Sequence, residues 1–102
     1  MNRNYGNYTL ECRYDSRQSF YGKAKVEIIE DNISYDELLK SYGTLVAIYT
    51  KDKIKNIEQF NYLGKYSQTT TRHQKEFFKQ HGLSDKEIKE LFDKGILERE
   101  VI

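Results

Sequence analysis

Apolar and polar side chains alternate along most of the chain up to residue 63. Over 8–14, Leu10, Cys12 and Tyr14 fall on one side and Thr9, Glu11 and Arg13 on the other, the pattern of a half-buried strand. After a turn at 15–18 the alternation resumes over 19–30. Phe20, Gly22, Ala24, Val26 and Ile28 point one way, and Tyr21, Lys23, Lys25 and Glu27 the other. The small Gly22 and Ala24 suggest a bulge or close backbone approach. These two runs form a natural antiparallel pair. Asp31-Asn32 is a turn signal. Residues 35–40 read either as a helical turn, with Ser34 as cap and Glu37 at capping-box spacing, or as part of a strand near 38–42. The strand is preferred, because 41–44 then links it to 45–50, which is rich in β-branched and aromatic residues. A charged turn at 51–53 and a last strand over 57–62 follow, and Gly64 ends the sheet. The polar stretch 1–7 is expected to be a loose terminus.

The period then changes. Gln74, Phe77, Phe78 and His81 recur at helical spacing and predict a helix over 72–81. Ile88, Leu91 and Phe92 predict a second over 85–94. Thr71 with Gln74, and Ser84 with Glu87, stand at capping-box spacing; Leu83 and Ile88 have the spacing of a hydrophobic staple. Gly82 and Gly95 stand where helix ends call for a left-handed residue. Asp85 and Glu87 at the start of the second helix and Lys94 at its end complement the helix dipole. Ile96, Leu97, Val101 and Ile102 make the tail apolar enough to pack back or to pair. The outline is α+β: a small antiparallel sheet of about four to five strands (8–63), a C-terminal helical hairpin packed on it (70–95), and a tail (96–102), together one domain over 1–102.

Composition narrows the class. At 102 residues there is room for one core, and 37% hydrophobic against 32% charged residues makes that core thin. Nine tyrosines outnumber five phenylalanines, which suits half-exposed strands and interfaces, most of the rings serving as sheet packing. A net charge of +1 excludes both a nucleic-acid mimic and a strongly basic binder. Cys12 is the single cysteine, so no internal disulfide forms, which fits a reducing cytoplasm. The first residues lack an apolar signal core and no run approaches a membrane span, so a soluble intracellular protein without membrane contact is expected.

Candidate chemistry is sparse. His73 and Glu76 at i, i+3, with His81 two turns beyond His73, supply too few ligands for a structural zinc, and no metal or cofactor is expected. Cys12 with His73 lacks a third group and oxyanion donors, so the chain is not expected to be an enzyme. Gly22 and Gly43 each stand alone, without phosphate-loop spacing, and read as a packing position and a turn. The two helices invite a helix-turn-helix reading, but Asp85, Glu87, Glu90 and Asp93 make the second one repel phosphate. A better basic surface is the stripe Arg72, Lys75 and Lys79. Outward Tyr21, Lys23 and Lys25 with Arg13 on the neighbouring strand add an aromatic-basic face for a single strand. Arg13, Lys23, Lys25, Arg72, Lys75 and Lys79 are the candidate nucleic-acid contacts.

Three segments are informative together: DSRQSFYGKA at 15–24, KSYGTLVA at 40–47 and YSQTTTRHQKEFFKQ at 66–80. They resemble a family of small uncharacterised proteins carried by phages, plasmids and other mobile elements of Gram-positive bacteria. In that family D-S-R-x-S-F-Y-x-K-A is followed by S-Y-x-T-x-V-A and T-T-x-x-H-x-x-E-F. Asp15, Ser16, Arg17, Ser19, Phe20, Tyr21, Lys23 and Ala24 match the first block. Ser41, Tyr42, Thr44, Val46 and Ala47 match the second. Thr70, Thr71, His73, Glu76 and Phe77 fit the third, with the register open among the three threonines. The resemblance spans about 14–80 and leaves out the second helix and tail. It implies a bacterial host cytoplasm and stoichiometric binding of a host protein or nucleoprotein, as in an anti-CRISPR inhibitor of a CRISPR-Cas effector. The alternative is an accessory that binds single-stranded nucleic acid during mobile-element replication or maintenance. Arg17, Tyr21, Lys23, Tyr42, Arg72 and Lys75 are the candidate partner contacts, in a monomer or homodimer.

Overall fold

The structure is a computed structural model that describes residues 3–16 and 20–101. Among these residues eight elements follow in chain order: β1 (Asn4–Thr9), β2 (Ala24–Glu30), β3 (Ser34–Ser41), β4 (Thr44–Asp52), β5 (Ile57–Tyr62), α1 (Gln68–Gln80), α2 (Asp85–Lys94) and β6 (Ile96–Glu100). The strands form one antiparallel sheet in the order β1-β2-β3-β4-β5-β6. The α+β outline holds, with the helical hairpin after β5, and the strand preferred over 38–42 lies in β3 up to Ser41, Tyr42 falling in the turn.

One sheet face carries the core. Val26 pairs with Leu39, Leu39 with Ala47, and Tyr49 with Phe60. Side chains at paired positions share a face, and all of these are buried. Phe77 and Phe78 of α1 and Ile88 and Leu91 of α2 close that face, with Phe60 and Phe78 ring to ring at 6.2 Å. A bulge between Leu39 and Lys40 leaves Val46 without a partner across the ladder. Its carbonyl accepts instead from Leu63 N–H at 3.1 Å and from Gln74 Nε2 at 3.0 Å, which joins β4 to α1.

Four expectations need correction. The sheet has six strands rather than four to five, because the tail adds β6 beside β5. The first strand runs over Asn4–Thr9 and not 8–14, so part of the supposed loose terminus is an edge strand. The alternation over 8–14 misled because Leu10 is buried from a loop, where its N–H donates to Ala24 O at 2.9 Å. The second strand begins only at Ala24, since residues 20–23 form a tight turn; Ser19 lies outside the described residues. Finally, α1 starts earlier than 72. Its N-cap is Ser67, whose Oγ accepts from Thr70 N–H at 3.1 Å. Gln74 is not a capping partner of Thr71, because its amide is buried against Val46 and Gly64 carbonyls. The second helix is as expected, with a Ser84–Glu87 capping box and Gly95 left-handed at its end.

Candidate functional site

Two turns with the same sequence stand side by side. In the β3–β4 hairpin, Tyr42 (φ 52°) and Gly43 (φ 83°) are the two loop residues between the paired Ser41 and Thr44. At 20–23, Lys23 N–H donates to Phe20 O at 3.0 Å around Tyr21 (φ 52°) and Gly22 (φ 71°). Both have the type I′ arrangement, with positive φ at both central positions. Tyr42 N–H donates to Lys23 O at 2.9 Å and ties the two turns together. Glycine suits the second position of each, and asparagine is the ordinary residue at the first. In the β4–β5 loop a left-handed position is filled by Asn56, at φ 57°. A bulky side chain there costs on the order of 1 kcal/mol. Both tyrosines are nevertheless exposed, Tyr21 by 84% and Tyr42 by 59%.

The base beneath this corner is built from the loop after β1, Ser41 at the end of β3 and the buried face of α1. His73 is fully buried, with its Nδ1 2.7 Å from Ser41 Oγ, which is also 2.9 Å from Thr70 Oγ1. Tyr42 stacks on the imidazole at 5.9 Å, and Phe20 meets it edge-on at 4.5 Å. Arg72 lies over the Phe20 ring and grips Asp15 in a bidentate pair, at 2.9 and 3.1 Å. Glu76 is buried and accepts from Tyr14 N–H and Asp15 N–H, both at 2.9 Å. Burial, and secondarily the Arg72 charge, push the His73 pKa below its ordinary value, so the ring is neutral. The spacing of His73 and Glu76 on α1 thus serves two separate attachments, one to the hairpin and one to the loop.

The predicted contacts do not form one patch. Tyr21, Lys23, Lys25 and Tyr42 lie at the twin turns and the adjoining sheet face. Lys23, Lys25 and Tyr42 line a cleft of about 680 Å³ together with Lys40, which the sequence reading missed. Arg72 is occupied by Asp15, and Lys79 pairs with Asp85 at 3.2 Å, so the expected stripe on α1 leaves Lys75 as its exposed cation. Arg13 is exposed on the loop after β1 rather than on a strand, and Arg17 lies outside the described residues. Cys12 is half-buried; burial and the nearby Asp15 and Glu76 push its thiol up, the opposite of an activated nucleophile.

A second polar cluster went unnoticed in the sequence. Glu37, buried beneath the end of α1, accepts from Tyr8 OH at 2.6 Å and Tyr35 OH at 2.5 Å, and lies 3.0 Å from His81 Nε2. The His81 ring stacks on Tyr49 at 4.0 Å, and Tyr49 OH donates to Glu58 at 2.6 Å. Burial raises the Glu37 pKa, but the hydrogen bonds from His81, Tyr35 and Tyr8 outweigh it and hold the carboxyl below its ordinary range. Alternation places Glu37 on the same side as Tyr35 and Leu39, and that was the available signal. Among the described residues, no three of His, Cys, Asp and Glu gather as a metal site, and no helix is long and apolar enough to cross a membrane.

No curated protein and no solved structure matches the chain. Residues 8–94, which take in both helices and both turns, match the family of unknown function DUF8033, and the chain belongs to that family.

Proposed function

We propose that this protein acts stoichiometrically, by gripping a bacterial host protein or nucleoprotein with the tyrosine corner at Tyr21 and Tyr42. The observation that carries the reading is the strained placement of two exposed tyrosines where asparagine would serve the turn better. Residues held in sparsely populated backbone regions cluster at working sites. Tyrosine in turn supplies large, stiff contact area to interfaces. The resemblance to mobile-element proteins makes an inhibitor of a bacterial defence complex, anti-CRISPR in type, the specific form of this proposal. Lys23, whose carbonyl accepts from Tyr42 N–H, belongs to the same corner, and Lys75 is a peripheral contact.

The test is capture of partners from host lysate by the tagged chain and by Tyr21→Asn, a change that suits the left-handed turn. One effector at near-equal stoichiometry, lost with Tyr21→Asn, is expected, with matching loss of protection of a phage or plasmid. Unchanged capture by Tyr21→Asn, or no protection against any defence system, would overturn it. The second reading, a single-stranded nucleic-acid accessory, is favoured by the lysines and Tyr42 around one cleft. Failure of an oligonucleotide to shift the protein at low salt would remove it.

A further inference from the structure

We infer that the cleft beside the twin turns is a nucleoside-phosphate site, with Lys25 and Lys40 holding the phosphate and Tyr42 facing the base. The inference rests on the second reading and gives it a location. Lys25 and Lys40 are direct cross-strand partners. Each lies between residues buried under the helices, Ala24 and Val26 for one and Leu39 and Ser41 for the other. Both side chains therefore leave the sheet on its open face, next to each other. Like charges opposite one another destabilise a sheet, and a locally unfavourable choice of this kind marks a working position. Glu27 offsets only part of the charge, by binding Lys40 at 2.7 Å. Among the described residues, Lys23 and Lys25 have no ion-pair partner.

The remaining walls fit the rest of a nucleotide. Gly22 and Gly43 line the cleft and have no side chains to fill it. One face of Tyr42 is fixed against His73 and the ring is otherwise exposed, which presents a stiff π-surface to a base. The cleft's volume of about 680 Å³ lies in the range of small-molecule sites. A free nucleotide and one unit of a single strand offer the same phosphate and base.

The full chain is titrated with thymidine 5′-monophosphate, oligothymidylate and polyglutamate at low and high salt, with backbone amide shifts as the readout. Both thymidine ligands are expected to move the amides of Lys25, Lys40 and Gly43, and to weaken as salt rises. The Lys25→Gln/Lys40→Gln variant removes a repulsive pair together with the exposed Lys40–Glu27 ion pair, whose loss is small at the surface, so it keeps the fold, and it is expected to lose roughly tenfold or more in affinity. Affinity growing with oligonucleotide length identifies the strand as the source, and equal affinity per site the free nucleotide; either supports the site. Oligothymidylate binding that survives the double variant unchanged would overturn the site and leave the nucleic-acid reading standing. Absence of binding by both thymidine ligands would overturn both, and polyglutamate binding as tightly as oligothymidylate would overturn the nucleotide assignment.

Discussion

Ser41 Oγ and His73 Nδ1 lie 2.7 Å apart, one at the end of β3 and the other on the buried face of α1. That contact fastens the helix to the strand carrying the tyrosine turn, and the same imidazole supports the Tyr42 ring. One buried residue therefore serves both the core and the placement of the turn's tyrosine.

Acid should expose this arrangement. The folded-state pKa of His73 lies below its ordinary value of 6.5. Between the two values the unfolded chain holds a proton that the folded one does not, so stability falls as pH drops below 6.5. Glu37 acts lower: its folded pKa is depressed below 4.5, and its contribution is complete above 4.5 and lost as pH falls through the folded value. Urea unfolding at successive pH values should show both phases, and His73→Asn should flatten the first. An unchanged slope just below pH 6.5 in that variant would contradict the assignment.

Glu37→Gln keeps the shape of the side chain but removes the charge that two tyrosines and His81 address. Hydrogen bonds to a charged group contribute about 1.5–3 kcal/mol, and a loss of that size in unfolding free energy is expected. A loss below about 0.5 kcal/mol would place the cluster among ordinary surface contacts.

Arg72 and Lys75 are neighbours on α1 with different roles. Arg72→Ala should destabilise, with a coupling to Asp15 of about 1 kcal/mol in a double-mutant cycle, since bidentate geometry strengthens a pair that water still partly screens. Lys75→Ala should stay within about 0.5 kcal/mol of wild type. Equal effects of the two substitutions would refute the distinction.

The N-cap of α1 can be located by substitution. Ser67→Ala should cost about 1 kcal/mol, because Thr70 N–H loses its acceptor. Thr71→Ala should change stability by less than about 0.5 kcal/mol, since its hydroxyl only bonds back to Ser67 O. Thermal unfolding of the two variants decides the cap, and the reverse order would restore Thr71.

Gly43→Ala should cost about 1 kcal/mol. The added methyl has open space around it, so the penalty comes from the left-handed backbone alone. A neutral Gly43→Ala would mean that the hairpin does not need its φ of 83°.

Where the pattern was local, the sequence was readable. The α2 boundaries, its capping box, β5 and the strand character of 38–41 and 45–50 follow from nearest-neighbour chemistry. What escaped depended on distant partners. Leu10 looked like a strand residue because burial from a loop leaves the same apolar mark as burial from a sheet. Thr71 and Gln74 matched a cap, yet Gln74 was claimed by carbonyls of Val46 and Gly64. Of the candidate contacts, Tyr21, Lys23, Lys25 and Tyr42 share one region because consecutive strands keep their turns close. Arg72 looked available only because Asp15, so distant in the chain, could not be seen beside it. Lys40 was missed for the opposite reason: nothing local marks it, and only the ladder places it opposite Lys25.

The strand order has a consequence for how the molecule assembles. Strands β1 to β5 each add to their immediate predecessor, so every pairing up to Tyr62 closes only a short stretch of chain. β6 differs, because the whole segment 63–95 must fold back before Ile96–Glu100 reaches β5. Closing a longer loop costs more entropy and slows the step. The β6 edge is therefore expected to close late in assembly, and its amides should exchange with solvent sooner than those of β3 and β4.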